Sequence, residues 1–441
     1  MSMGMSMRKL AAAGLAAATL LSVAACGGQS ASNTAGGSAD GGKTEITVWA
    51  WEPLISKTVE GFEKENPDIT VKVVNAGTNN DEYTALSNAV NAGSGAPDLV
   101  QLDYNAVPQF AYSDALEDLS QYGGDKILDK FTTGAQAGVT VDGKMYGMPM
   151  GTGPMALFYN KEIFDKAGVT EAPKSWDEYY EAAKKIHALG SDYYITSDSG
   201  DAGFAMSMIW LAGGQPFKVD GSKVSIDLTG DSGVKAFAQF WQKMIDEDLI
   251  DTKTAGWSDD WYKSLNTGHI ASLMTGAWMP ITLEGSVTDA AGKYRVANTP
   301  TPDGSAVNSE NGGGALAVVK GSKNAEAAYK FAEYVGLGGG NKTFTEGGSF
   351  PPDTATLEES SFTDKTSDYF GGQKVNEVLA EGAKNVKESF TFLPFQVYGN
   401  SIYADTVGKA FSGDGTLMDG FKDWQNKLVE YGDGQGFEVN K

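Results

Sequence analysis

Residues 45–102 constrain the fold more than any other part of the chain, because strand-like and helix-like patterns alternate there at a spacing few architectures accept. Ile46 and Val48, followed by Trp49 and Trp51, predict a strand over 45–51, closed by Pro53. Residues 54–65 read as an amphipathic helix with Val59 and Phe62 inward. Asn66-Pro67 stops it, since the residue before a proline is pushed out of the helical region. A strand at 69–74, a helix near 82–92 ended by Gly93, and a strand at 98–102 complete the series. This order predicts parallel α/β packing. The pattern resumes with strands at 156–159, 271–274 and 315–319 and helices at 176–188, 234–246 and 325–335.

Open α/β sheets bind ligands beyond the carboxyl ends of their strands. The candidates there are Trp51 and Glu52, then Asp103, Tyr104 and Asn105, then Trp278 and Met279. Aromatics and short polar groups dominate, although a tryptophan at a strand end also suits a core. Trp257-Ser-Asp-Asp-Trp261-Tyr262 is the densest aromatic–acid cluster. Flat aromatic faces complement the C–H faces of a pyranose, and carboxylates accept its hydroxyl protons. Trp257 and Trp261 are also four apart, which fits one buried helical face. Asn311-Gly-Gly-Gly314 precedes a strand, so Gly312 and Gly313 either admit close approach to the backbone or make a simple turn.

Three other motifs point elsewhere and fail on context. Gly230-Asp-Ser-Gly233 spells a serine-protease nucleophile, but that chemistry needs an oriented histidine base. Only His187 and His269 are present, and His187 falls in a predicted helix. Capping of the helix at 234–246 by Asp231 or Ser232 explains the same letters. The glycine-rich run at 336–343 resembles a phosphate loop but follows a helix instead of a strand, so a helix stop is the better reading. Two histidines and one cysteine exclude the usual zinc sites, and Ser197-Asp-Ser-Gly-Asp201 hints at calcium without the EF-hand spacing. No cofactor is expected. Glycoside hydrolysis stays open, because it needs only two well-placed acids.

The N-terminus predicts export. Arg8 and Lys9 precede an apolar stretch over 10–25, whose 16 residues fall short of the roughly 20 that span a bilayer. Residues 1–25 are expected to be a removable leader. Residues 26–43 are expected to be an anchor and flexible linker, rich in Gly, Ser and Ala, with a reach of about 20–25 Å. Cys26 is the only cysteine, so no disulfide can form within the chain. Without Arg8 and Lys9 the remaining body carries −25 instead of −23, a balance that argues against a nucleic-acid partner.

Several segments in order then resemble one family. They are Ile46-Thr-Val-Trp49, Phe62-Glu-Lys-Glu-Asn-Pro-Asp-Ile-Thr-Val71, Gly95-Ala-Pro-Asp-Leu-Val100 and Gly143-Lys-Met-Tyr-Gly-Met-Pro149. Phe158-Tyr-Asn-Lys161, Pro173-Lys-Ser-Trp-Asp-Glu178, the run Gly268 to Trp278, and Ala327-Ala-Tyr-Lys-Phe331 follow. Together they resemble the carbohydrate-type extracellular solute-binding proteins of ATP-driven importers, the family that includes maltose-binding protein. Val23-Ala-Ala-Cys26 resembles a lipobox, which implies that Cys26 carries a lipid anchor. The resemblance implies a two-lobed α/β fold, like that of periplasmic binding proteins, with a hinge and a ligand cleft between lobes. The first lobe would comprise 44–150 and 303–347, and the second 154–299 and 351–441. By resemblance alone, Tyr398 and Asn400 join the ligand-binding candidates. The implied protein is a monomer, not an enzyme, held on the outer face of the cytoplasmic membrane, passing an oligosaccharide to permease subunits. A surface glycosidase and a receptor for a peptide or polyamine are the alternatives.

Overall fold

Residues 43–387 and 390–441 are described in this computed structural model; the leader, Cys26 and most of the linker lie outside the described residues. The opening alternation folds as β1 (Thr44–Trp49), α1 (Pro53–Glu65), β2 (Ile69–Val74), α2 (Asn80–Ala92) and β3 (Leu99–Asp103). β1 pairs in parallel with both β2 and β3, as crossover helices between successive strands require. Both sheet faces are covered. Ile46, Val48 and Leu99 pack with Phe62 and Phe331, while Val100 and Leu102 pack with Phe110 on the other side.

Further along come β4 (Met148–Asn160), α3 (Trp176–His187), α4 (Ala202–Leu211), α5 (Ser232–Asp246), β5 (Ser272–Gly276), β6 (Tyr294–Asn298), β7 (Glu310–Val318) and α6 (Ala325–Leu337). A seven-stranded sheet runs β5-β4-β7-β3-β1-β2, with β6 also paired to β4. Within this sheet the parallel expectation holds for β1 to β3 only. β7 is antiparallel to β3 and β4, and β5 and β6 are antiparallel to β4.

β4 and β7 join two lobes. The start of β4 pairs with β7 beside the first core, whereas its last six residues pair with β5 and β6. There Leu157 enters a core with Trp176 and Trp241, and Phe158 enters another with Tyr294 and Phe370. The register of β7 on β4 slips between Glu310 and Gly313 and again between Gly314 and Ala315. Just before β7, Asn308 Nδ2 donates to Met155 O and Gly382 O at 2.9 and 3.0 Å.

The rejected motifs are structural. Asp231 Oδ1 accepts from Val234 N at 2.9 Å and caps α5. His187 closes α3 with its Nδ1 2.9 Å from Tyr193 O. The glycines after α6 pack against Tyr334: a Cβ at Gly339 would stand 2.8 Å from its hydroxyl. Among the described residues, no helix is long and apolar enough to cross a membrane, and no group of three or more metal-ligating side chains converges.

Candidate functional site

A cavity of about 500 Å³ opens where the slipped strands meet, lined from both lobes. That size falls within the range of about 300–1,000 Å³ usual for small-molecule sites.

The wall from the first lobe is built by β3. The buried Gln101 turns its Oε1 toward the segment after β1 and accepts from Trp51 N at 3.1 Å and Glu52 N at 3.0 Å. Trp51 stands edge-on to Tyr83, with centroids 6.1 Å apart. Glu52 caps α1, accepting from Leu54 N at 3.0 Å. Asp103 accepts from Tyr83 Oη at 2.7 Å and Asn79 Nδ2 at 2.5 Å. Burial raises the Asp103 carboxyl above its ordinary range, and those two hydrogen bonds oppose the rise. Asn105 lines the cavity, and its buried Oδ1 has no hydrogen-bond partner.

The floor is the junction of β4 and β7. Gly312 and Gly313 have φ of +86° and +97°, where a side chain would be strained. Each also makes room for an aromatic: a Cβ at Gly312 would lie 2.8 Å from Trp278 Nε1, and one at Gly313 2.4 Å from the Tyr104 ring. Tyr104 is itself buried and donates to Gly151 O at 2.8 Å. Glu310, almost fully buried, accepts from Gly153 N at 2.7 Å and Thr152 Oγ1 at 3.0 Å. Burial pushes its carboxyl up to about 8.

From the second lobe, Trp278 donates its indole N–H to Asn311 O at 2.7 Å, which fixes the ring beside the cavity. Its other neighbour, Trp257, stacks on it at 5.6 Å. Ser207 of α4 donates to Glu310 O at 2.7 Å, and Asp201 caps the same helix at Phe204 N. No Lys, Arg or His lines this cavity among the described residues.

Residues 41–337 match the model for the bacterial extracellular solute-binding proteins. The chain belongs to that family. One solved structure, the ABC-transporter-associated binding protein from B. animalis subsp. lactis Bl-04 in complex with β-1,6-galactobiose, is 52% identical. The match has a TM-score of 0.82 and covers 90% of this chain and all of that one. The galacto-N-biose/lacto-N-biose I-binding protein of Bifidobacterium longum is 28% identical, with a TM-score of 0.78 over 91% of this chain and 100% of that one. The arabinooligosaccharide-binding protein of Bacillus subtilis (strain 168) is 28% identical over 77% of this chain and 81% of its own.

Within this solute-binding protein the sequence candidates divide. Trp51, Glu52, Asp103, Tyr104, Asn105, Trp278, Gly312, Gly313 and Asn400 all line the main cavity. Trp257 and Met279 do not; they line a neighbouring chamber instead. Tyr398 lines neither cavity, because its ring lies flat on Tyr431 at 3.6 Å. Gln101 and Glu310 also line the cavity without standing out in the sequence, and Asn311 does so with the glycine run it precedes. The first lies inside a strand and the others beside a glycine run that drew attention to itself, although a lone Glu opening that run was a legible signal.

Proposed function

We propose that this chain is the ligand-capture subunit of an ATP-driven carbohydrate importer, taking a neutral oligosaccharide into the cavity between its lobes. One observation carries the reading: Trp51 and Trp278 face a cavity lined by acceptors, amides and glycine backbone, with no cationic side chain among the described lining residues. Aromatic faces suit the apolar faces of sugar rings, and acceptors suit hydroxyls. Acidic sugars and phosphorylated ones would find no cationic side chain among the described lining residues, and would lie beside the carboxylates of Glu52 and Asp201.

Contacts from both lobes favour the closed arrangement, since a ligand shifts an equilibrium only by its differential affinity for the two states. The slipped junction of β4 and β7 is the hinge in this reading. The closed form docks on permease subunits. The protein acts as a monomer, without chemistry, tethered through a lipid on Cys26. A glycosidase needs one carboxyl free to protonate the glycosidic oxygen and a second opposite it. Here Asp103, Glu52 and Glu310 are all engaged by the protein's own donors.

Titration of the purified protein by tryptophan fluorescence against neutral oligosaccharides, uronic-acid and sialylated sugars, short peptides and spermidine tests this. Neutral sugars are expected to bind and to be recovered intact by chromatography. Binding of spermidine or peptide with no response to any neutral sugar would overturn the reading, and shortened sugars would make the protein an enzyme.

A further inference from the structure

A second chamber of about 330 Å³ lies behind Trp278. Asp201, Trp278 and Asn311 line both chambers and so form the partition between them. Apart from that shared partition, its walls come from the second lobe, chiefly 196–201, 255–261 and the end of β5.

Three features distinguish it from a packing gap. Trp257 is 54% exposed and holds φ at +68°. A bulky residue in that region is strained, and such strain persists where surroundings or function require it. The ring is nevertheless ordered against two others, Trp278 at 5.6 Å and Trp261 at 5.3 Å, which gives the chamber an aromatic wall. Trp261 in turn donates to Ser197 Oγ at 3.1 Å, so its face is fixed. The same chamber is lined by the polar groups of Asp201 and Thr275, the latter donating to Asn311 Oδ1 at 3.0 Å. Aromatic rings and polar groups together repeat the chemistry of the main cavity. No Lys, Arg or His lines this chamber either, among the described residues.

We propose that the chamber behind Trp278 is a second neutral-sugar subsite, so that the protein selects ligands of at least three sugar units over disaccharides. This rests on the function proposed above. Trp278 would then be a two-sided partition, with one sugar in the main cavity and the chain or a branch continuing past Asn311 toward Trp257.

Calorimetric titration with matched pairs tests it: β-1,6-galactobiose and galactotriose, isomaltose and isomaltotriose, maltose and maltotriose. In the pair bound best, the trisaccharide is expected to bind at least tenfold tighter than the disaccharide. Trp257→Gly removes the wall while suiting the positive φ, and Ala255→Phe fills the exposed rim. Both should bring the affinity ratio toward one, with thermal midpoints confirming folded protein. A wild-type ratio near one, or a ratio unchanged in both variants, would overturn the subsite while leaving sugar capture intact. Absence of binding to every sugar by the wild type would remove the underlying function and the subsite with it.

Discussion

Trp278 Nε1 and the carbonyl oxygen of Asn311 lie 2.7 Å apart, and this hydrogen bond ties the end of β5 to the start of β7. The glycine that follows Asn311 leaves the space the indole occupies. Replacing Trp278 with alanine therefore removes a ring from the cavity wall and leaves a carbonyl at the lobe junction without its donor. Sugar affinity should fall by more than about 1 kcal/mol, the scale of a lost aromatic contact. Unchanged calorimetric affinity in Trp278→Ala would take the residue out of the site.

Gly313 is expected to tolerate no side chain. Its φ of +97° and the Tyr104 ring 2.4 Å from an ideal Cβ position act together. Gly313→Ala should cost about 1–3 kcal/mol of stability, the range for overpacking a filled site. Tyr104→Ala in the same background removes the clash but not the dihedral strain. A double variant no less stable than Tyr104→Ala alone would show that the ring, and not the backbone, was decisive.

Stability should fall with rising pH across the neutral range. Burial pushes Glu310 and Glu82 up to about 8 from 4.5, and Asp198 up to about 7 from 3.8. Glu82 is buried with neither carboxyl oxygen partnered, and the nearby Asp103 adds to its shift. A group whose folded value is raised binds its proton more tightly in the folded state. The stability it adds is present below the unfolded value and lost as pH rises through the folded one. The thermal midpoint should therefore be higher at pH 5.5 than at pH 8.5. The body's net negative charge pushes the same way in every variant, so the readout is a difference: Glu310→Gln should shrink the gap between the two midpoints. An equal gap in both proteins would mean that Glu310 does not titrate in this window.

The first half of the sheet was legible because each element there is local. Pro53, Asn66-Pro67 and Gly93 mark helix ends that depend on neighbours in sequence, and the structure places them within a few residues. The sequence pattern predicts four residues of β4 where it has thirteen, since its first half carries Met148-Pro-Met-Gly-Thr-Gly-Pro154, a poor strand by composition. Only pairing with β7, more than 150 residues away, makes it extended. The site divides in the same way. Residues past strand ends, such as Asp103 and Trp278, follow from a general rule of open sheets, whereas Tyr398, implied by resemblance alone, spends its face on Tyr431. Gln101 gives no signal in the sequence, because it holds the Trp51 backbone from the neighbouring strand through a contact fifty residues away.

That role makes Gln101 the sharpest test of how the cavity is held. Its Oε1 accepts two backbone N–H groups, from Trp51 and Glu52, in a segment that would otherwise leave β1 unguided. Gln101→Leu keeps most of the volume and offers no acceptor. Leaving part-buried N–H groups unpaired costs about 1–3 kcal/mol each, so the variant should lose on the order of 2 kcal/mol of stability in urea unfolding. It should also bind sugar more weakly, because Trp51 loses its fixed position. Trp51→Ala provides the comparison, since it removes the ring but keeps both backbone bonds. That variant should weaken binding while losing less stability than Gln101→Leu. If Gln101→Leu binds as tightly as the wild type despite its lower stability, Trp51 is positioned by its packing on Tyr83, and the clamp from β3 contributes to folding alone.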